Sequence, residues 1–170
     1  MLKLLFLAVP APFYMYRSST RSDKYFYTTN ANELGTLDPN VNRRGWMFWQ
    51  IECRIFTYQV PRSQPLYRYF RSIDNSYFYT TNINELGTTG KHGYQYDWIA
   101  GYCFPTKQEG TVPLQRYHAY GNHLFITNRY YKTFKWSNNE FKLEGTVCYV
   151  YPAHGKLTHF FTSFGLYHFS

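Results

Sequence analysis

The sequence predicts an all-β domain built from three related segments, and three observations carry that reading. One stretch is written twice, as Tyr25-Phe26-Tyr27-Thr28-Thr29-Asn30-Ala31-Asn32-Glu33-Leu34-Gly35 and as Tyr77-Phe78-Tyr79-Thr80-Thr81-Asn82-Ile83-Asn84-Glu85-Leu86-Gly87. A worn third version reads Leu124-Phe125-Ile126-Thr127-Asn128. Aromatic residues make up 22% of the chain, with 19 Tyr and 15 Phe, a composition that favours short strands over helices. Finally, Pro12, Pro65 and Pro113 open similar segments about fifty residues apart, the spacing of an array, a propeller, a solenoid or a threefold closed fold. The segments run over 12–61, 65–105 and 113–152, followed by a tail, 153–170. Their linkers are short and polar, so residues 1–170 read as one domain.

Each segment reads as four short strands. The first follows the opening proline, which starts a strand without needing a backbone donor. The second is the repeated aromatic stretch, and its alternation puts Phe78 and Thr80 on one face. Aligning the three versions places Phe26, Phe78 and Phe125 in one column, predicted to be core. Asn30 with Glu33, and Asn82 with Glu85, have capping-box spacing for one helical turn, which Gly35 and Gly87 end. In the third segment Asn128 is followed at that distance by Tyr131, and the box is lost. The third strand covers Tyr94 to Trp98, following Gly93 as Trp46 follows Gly45, and Trp46, Trp98 and Trp136 are assigned to the core. In the fourth, Ile51, Cys53 and Ile55 align with Ile99, Gly101 and Cys103 and with Thr146, Cys148 and Val150, all on one face.

All three cysteines therefore fall on the core face as small buried hydrophobes. Cys53 and Cys148 occupy equivalent positions, and whether they pair stays open. The run Met1 to Ala11 reads as an edge strand rather than a leader, paired with the tail stretch Thr158-His159-Phe160-Phe161-Thr162-Ser163. With no clear signal peptide and no membrane-spanning segment, cytoplasmic and secreted locations both stay open.

The chain also resembles a known family. Pro65-Leu66-Tyr67-Arg68-Tyr69, then Phe78-Tyr79-Thr80-Thr81-Asn82, Glu85-Leu86-Gly87 and Gly101-Tyr102-Cys103-Phe104-Pro105 are similar to tandem aromatic-rich repeats of about 45 residues whose function is unknown. The resemblance spans Pro12 to Pro152. It implies a β-trefoil with pseudo-threefold symmetry and a lectin-like, carbohydrate-binding role. The chain departs from the family where Asp-His precedes the phenylalanine: Lys24-Tyr25, Ser76-Tyr77 and Asn122-His123-Leu124 stand there instead. The family's Tyr-Glu-Gly becomes Tyr96-Asp97-Trp98 and Leu143-Glu144-Gly145, with Phe48-Trp49-Gln50 in the first segment. The Gln-x-Trp signature of ricin-type lectins is absent.

No nucleophile elbow, zinc-protease helix, phosphate-binding glycine loop or Cys-x-x-Cys motif is present, which argues against an enzyme and against a resident cofactor or metal. His118 and His123 flank a turn, too few ligands for a metal site. Sugar binding asks for less: an aromatic face, and carboxylate or amide groups for neighbouring hydroxyls. Two columns fit. One holds Asp23, Asn75 and Asn122 beside Tyr25, Tyr77 and His123; the other holds Asp97 and Glu144 beside Tyr96 and Trp98. A glycan is thus the expected partner, at up to three shallow sites. A protein partner or protease, met by the 36–44 loop peculiar to the first segment, is the alternative. The formal charge of +8 admits a further one, nucleic acid or anionic lipid.

Overall fold

The computed structural model describes residues 8–21, 23–127, 133–136 and 139–154. Each opening proline is the second residue of a strand. In the first segment β1 (Ala11–Ser18) pairs antiparallel with β2 (Tyr25–Thr28) on one side. A short β3 (Asn42–Arg43) pairs with β4 (Trp46–Ile55), which flanks β1 on the other side. The second segment repeats that order: β5 (Gln64–Arg71) lies between β6 (Ser76–Thr80) and β7 (Gln95–Cys103). In the third, β8 (Val112–Ala119) lies between β9 (Asn122–Ile126) and the long β11 (Asn139–Pro152), which also pairs with β10 (Thr133–Trp136). The protein is all-β, and its sheets are antiparallel throughout.

The expected third and fourth strands are one continuous strand, β4, β7 or β11. Two register shifts bend each of them. The first sets Tyr14, Tyr67 and Gln115 against Ile51, Ile99 and Thr146, leaving Glu52, Ala100 and Val147 as the extra residue. The second leaves Trp49, Asp97 and Glu144 extra. A bulge bends the strand and re-aims its side chains. It also frees a carbonyl, and a neighbouring segment uses it: Thr29 Oγ1 donates to Ala100 O (3.4 Å), Thr81 Oγ1 to Val147 O (3.2 Å) and Thr127 Oγ1 to Glu52 O (3.4 Å). The far ends of the three long strands also meet, through Phe56 with Tyr102, Phe104 with Tyr149 and Tyr151 with Arg54.

At the centre three rings stand edge to face, Tyr27, Tyr79 and Phe125, with centroids 5.4, 5.3 and 5.7 Å apart. The phenol hydroxyls bond to backbone. Tyr79 Oη donates to Tyr27 O (2.9 Å) and accepts from Tyr27 N–H (2.7 Å). Tyr27 Oη does the same for Phe125, at 3.0 Å in both directions. These contacts correct the sequence alignment. Phe125 is the counterpart of Tyr27 and Tyr79, and Leu124 that of Phe26 and Phe78. Ile126 stands where Thr28 and Thr80 stand in the other segments, so the stretches match residue for residue without a gap, and matching Phe to Phe shifts the third by one. Phe26 instead packs with Tyr16 and Trp46, and Phe78 with Tyr69, Leu86 and Tyr94, in separate clusters away from Phe125.

The cysteines lie buried, as expected of that face, but Cys148 bonds to Cys103 rather than to Cys53, which stays free. The geometry explains the choice. Cys103 is the counterpart of Ile55, whose side chain lies over Gly101, and a Cβ at Gly101 would run into it. Cys148 is the counterpart of Gly101. The disulfide therefore makes covalent a contact that aliphatic packing makes at the neighbouring seam. Trp46 is core, whereas Trp98 is 69% exposed, a correction to its assignment; the side chain of Trp136 lies outside the described residues. So do Met1 to Leu7, the tail stretch Thr158 to Ser163, and the Asn128 and Tyr131 of the lost box. Among the described residues no helix is long and apolar enough to cross a membrane.

Two outcomes follow from the core. Tyr27→Phe strips Phe125 of both partners inside a dry core and should lower unfolding stability by about 2 to 4 kcal/mol, read as a lower denaturant midpoint. Thiol titration of the unfolded, unreduced chain should count one cysteine, rising to three after reduction. Cys103→Ala should then cost about 2 to 4 kcal/mol.

Candidate functional site

The sites lie at the seams between segments. Arg68 on β5 and Arg116 on β8 occupy the same place beside Tyr79 and Phe125. Each is held from two directions. Arg68 Nε donates to Asp97 Oδ2 (2.6 Å), and its two terminal nitrogens donate to Glu33 (2.7 and 3.2 Å). Arg116 Nε donates to Glu144 Oε2 (2.7 Å), and its terminal nitrogens donate to Glu85 (2.9 and 3.2 Å). In both cases one carboxylate comes from the arginine's own segment and the other from the segment before it.

Local structure explains the aim of each group. Asp97 and Glu144 are the extra residues of a bulge, which turns them toward the arginine one strand away. Glu33 and Glu85 end the short 3₁₀ turns Ala31–Glu33 and Ile83–Glu85. Only half of the expected capping box forms there. Asn30 and Asn82 accept from Asn32 and Asn84 N–H (3.0 and 3.1 Å), but the glutamates leave the cap backbone alone. They accept instead from the Thr28 and Thr80 hydroxyls and from the arginines of the next segment. Burial opposes the charge on Arg68, yet Tyr79 and Glu33 outweigh it and the pKa rises. Burial raises Glu85, but hydrogen bonds from Arg116 and Thr80 dominate and leave it below the usual carboxylate range.

The two arginines and, of their carboxylates, all but Asp97 help to wall two open clefts of like composition. The first, about 410 Å³, is lined by Thr28, Thr29, Asn30, Glu33 and Arg68 on one side and by Trp98, Ile99 and Ala100 on the other. The second, about 210 Å³, is lined by Thr80, Thr81, Asn82, Glu85 and Arg116 and by Glu144, Gly145, Thr146 and Val147. Trp98 at the lip of the first has Gly145 as its counterpart in the second. The third seam is built differently. Met15 takes the arginine's place, Trp49 stands at the bulge under the Arg17 guanidinium (4.3 Å), and buried Glu52 accepts from Thr127 N–H (2.7 Å) and Oγ1 (3.0 Å).

Of the residues singled out from sequence, Glu144 lines the second cleft, Asp97 reaches the first only through its bond to Arg68, and the other six do not line them. Asp23 is buried, held by Arg21 and by Asn122 Nδ2 (2.8 Å). Asn122 is buried, and its Oδ1 has no hydrogen-bond partner among the described residues. Asn75 takes the left-handed conformation of a hairpin turn, φ 54°. Tyr25 is core against Phe141, and Tyr77 packs on Phe26 with centroids 4.8 Å apart, burial pushing its hydroxyl up to about 12. His123 lies against Phe78 (4.8 Å), and its neighbour His118 accepts from Gly121 N–H. Among the described residues no three His, Cys, Asp or Glu side chains are grouped to hold a metal ion. Sequence reasoning missed Arg68 and Arg116, although Leu66-Tyr67-Arg68-Tyr69 and Leu114-Gln115-Arg116-Tyr117 share one Leu-x-Arg-Tyr pattern.

A family profile described as Domain of unknown function (DUF5648) matches residues 13–151, and the chain belongs to that family. No curated protein matches it. No solved structure matches it either.

His123 carries a pH signature. Burial, reinforced by Arg116, His118 and Arg71, lowers its pKa to about 3. Glu144, 3.5 Å away, therefore faces a neutral ring at neutral pH. An unfolded histidine titrates near 6.5, so between those values only the unfolded chain binds the proton. Stability should fall by up to about 1.4 kcal/mol per pH unit as pH drops below about 6.5. His123→Tyr, which installs the residue of the counterpart positions Tyr25 and Tyr77, should flatten the slope between pH 6.5 and 5, read by denaturant titration at each pH.

Proposed function

We propose that this member of the family is a non-catalytic glycan-binding module that uses the two seam clefts. One observation carries the reading: an arginine bracketed by two carboxylates, ringed by threonine and asparagine, recurs at two seams, and at one of them a tryptophan stands 69% exposed at the lip. Such a site offers paired acceptors to neighbouring hydroxyls and a flat apolar face to a sugar ring. The carboxylates are engaged as acceptors by the arginines, which suits binding better than proton transfer. The body is taken to be a trefoil-like arrangement of three segments, supported by the recurring bulges, the threonine-to-carbonyl bonds and the central ring triad. A disulfide fits an oxidising compartment, where cell-surface glycans are met.

A second reading is a protein partner at the 36–44 loop. It is favoured by a cleft of about 460 Å³ that adjoins the first seam cleft at Glu33 and is lined by Arg43 and Arg44, both exposed. Glycan-array binding by the folded chain tests the first reading. Trp98→Ala should weaken the best array ligand at least tenfold, about 1.4 kcal/mol or more, with an unchanged melting temperature. Array silence removes the glycan reading, and binding lost only on replacing the 36–44 loop favours the second.

A further inference from the structure

We infer that the clefts select sugars without negative charge, neutral or amine-bearing, and reject sialylated, sulfated or phosphorylated ones. The inference rests on the glycan reading and adds the ligand's charge class. The chain's charge of +8 argues the other way, for an anionic partner. The local arrangement outweighs it.

Each arginine is held by two carboxylates, so the trio carries a net charge of minus one. Glu85, Arg116 and Glu144 all line the second cleft, while Glu33 and Arg68 line the first with Asp97 bonded to Arg68. The cation is also the less available partner. The Arg68 side chain is 8% exposed, with three of its nitrogens already donating to carboxylates, whereas Glu33 and Asp97 are 32% and 37% exposed. At the second seam Arg116 is 16% exposed, and Glu85 and Glu144 are 32% and 34% exposed. What faces an incoming ligand is therefore a set of acceptor oxygens, and the ligand must bring donors. Vicinal hydroxyls do, and a protonated amine does so with favourable charge. A sulfate or carboxylate brings only acceptors and meets like charge a few ångströms away, in a partly buried setting where screening is weak. Arg43 and Arg44 line an adjoining cleft that shares Glu33 with the first, so the exclusion of anions is strongest at the second cleft, which shares no residue with it.

The test is an array of matched pairs: N-acetyllactosamine against its sulfated and sialylated forms, and N-acetylglucosamine oligomers against glucosamine oligomers. The folded chain should bind neutral or amine-bearing members at least tenfold more tightly than their acidic counterparts. Binding of the neutral members should change little between about 0.05 and 0.5 M salt. Asp97→Asn keeps an acceptor for Arg68 and removes one charge, so at an unchanged melting temperature it should narrow the neutral-to-sulfated gap several-fold. Preference for the acidic members, or a gap that Asp97→Asn leaves unchanged, overturns the inference while leaving a glycan-binding protein. No binding to any member overturns both readings.

Discussion

Three aromatic rings standing edge to face, two of them phenols whose hydroxyls clamp the next strand's backbone, set the geometry on which the other parts depend. Tyr79 holds the backbone of Tyr27, and Tyr27 holds that of Phe125. Each clamp spends a buried hydroxyl on a donor and an acceptor that would otherwise be stranded in a dry core. The relay stops at Phe125, which has no hydroxyl to pass on. Because β2, β6 and β9 are fixed this way, the segments meet at set distances, and the seams between them become places where side chains from two segments share one partner.

Backbone irregularity supplies the chemistry at those seams. A regular strand would carry Asp97 and Glu144 with the pleat; the bulges turn them onto Arg68 and Arg116. Other bulges free the carbonyls that threonines of neighbouring segments bind, so one device both joins the segments and shapes the clefts between them. The third seam follows the same backbone plan with other side chains. Met15 and Trp49 replace the ionic pair, and Glu52 turns inward to the Thr127 amide. Likeness of backbone thus does not bring likeness of site.

How much of this the sequence disclosed depends on how far each feature reaches along the chain. Strand class, the core face of the cysteines, the turns at Asn30 and Asn82 and the strand beginnings beside Pro12, Pro65 and Pro113 are local, and they were legible. The column Phe26, Phe78, Phe125 was misread because Leu124 replaces the phenylalanine and Ile126 the first threonine, so residue type points to the wrong register, and only strand pairing and contacts across segments reveal it. Glu33 and Glu85 looked like helix caps since the spacing is local, while their actual partners stand 35 and 31 positions away in the next segment. Asp97 and Glu144 were found by column, but nothing in the sequence marks them as bulge residues. Trp98 was assigned inward together with Trp46, but it stands opposite Arg68 as Gln50 stands opposite Met15, on another part of the strand.

The Cys103–Cys148 bond ties the second segment to the third, while the first is held to its neighbours by non-covalent contacts: packing, strand pairing, hydrogen bonds and the Glu33–Arg68 ion pair. The narrower cleft lies on the stapled side and the wider, tryptophan-lipped one on the unstapled side. Opening the narrower cleft's seam therefore strains a covalent tie, whereas opening the wider one breaks only non-covalent contacts.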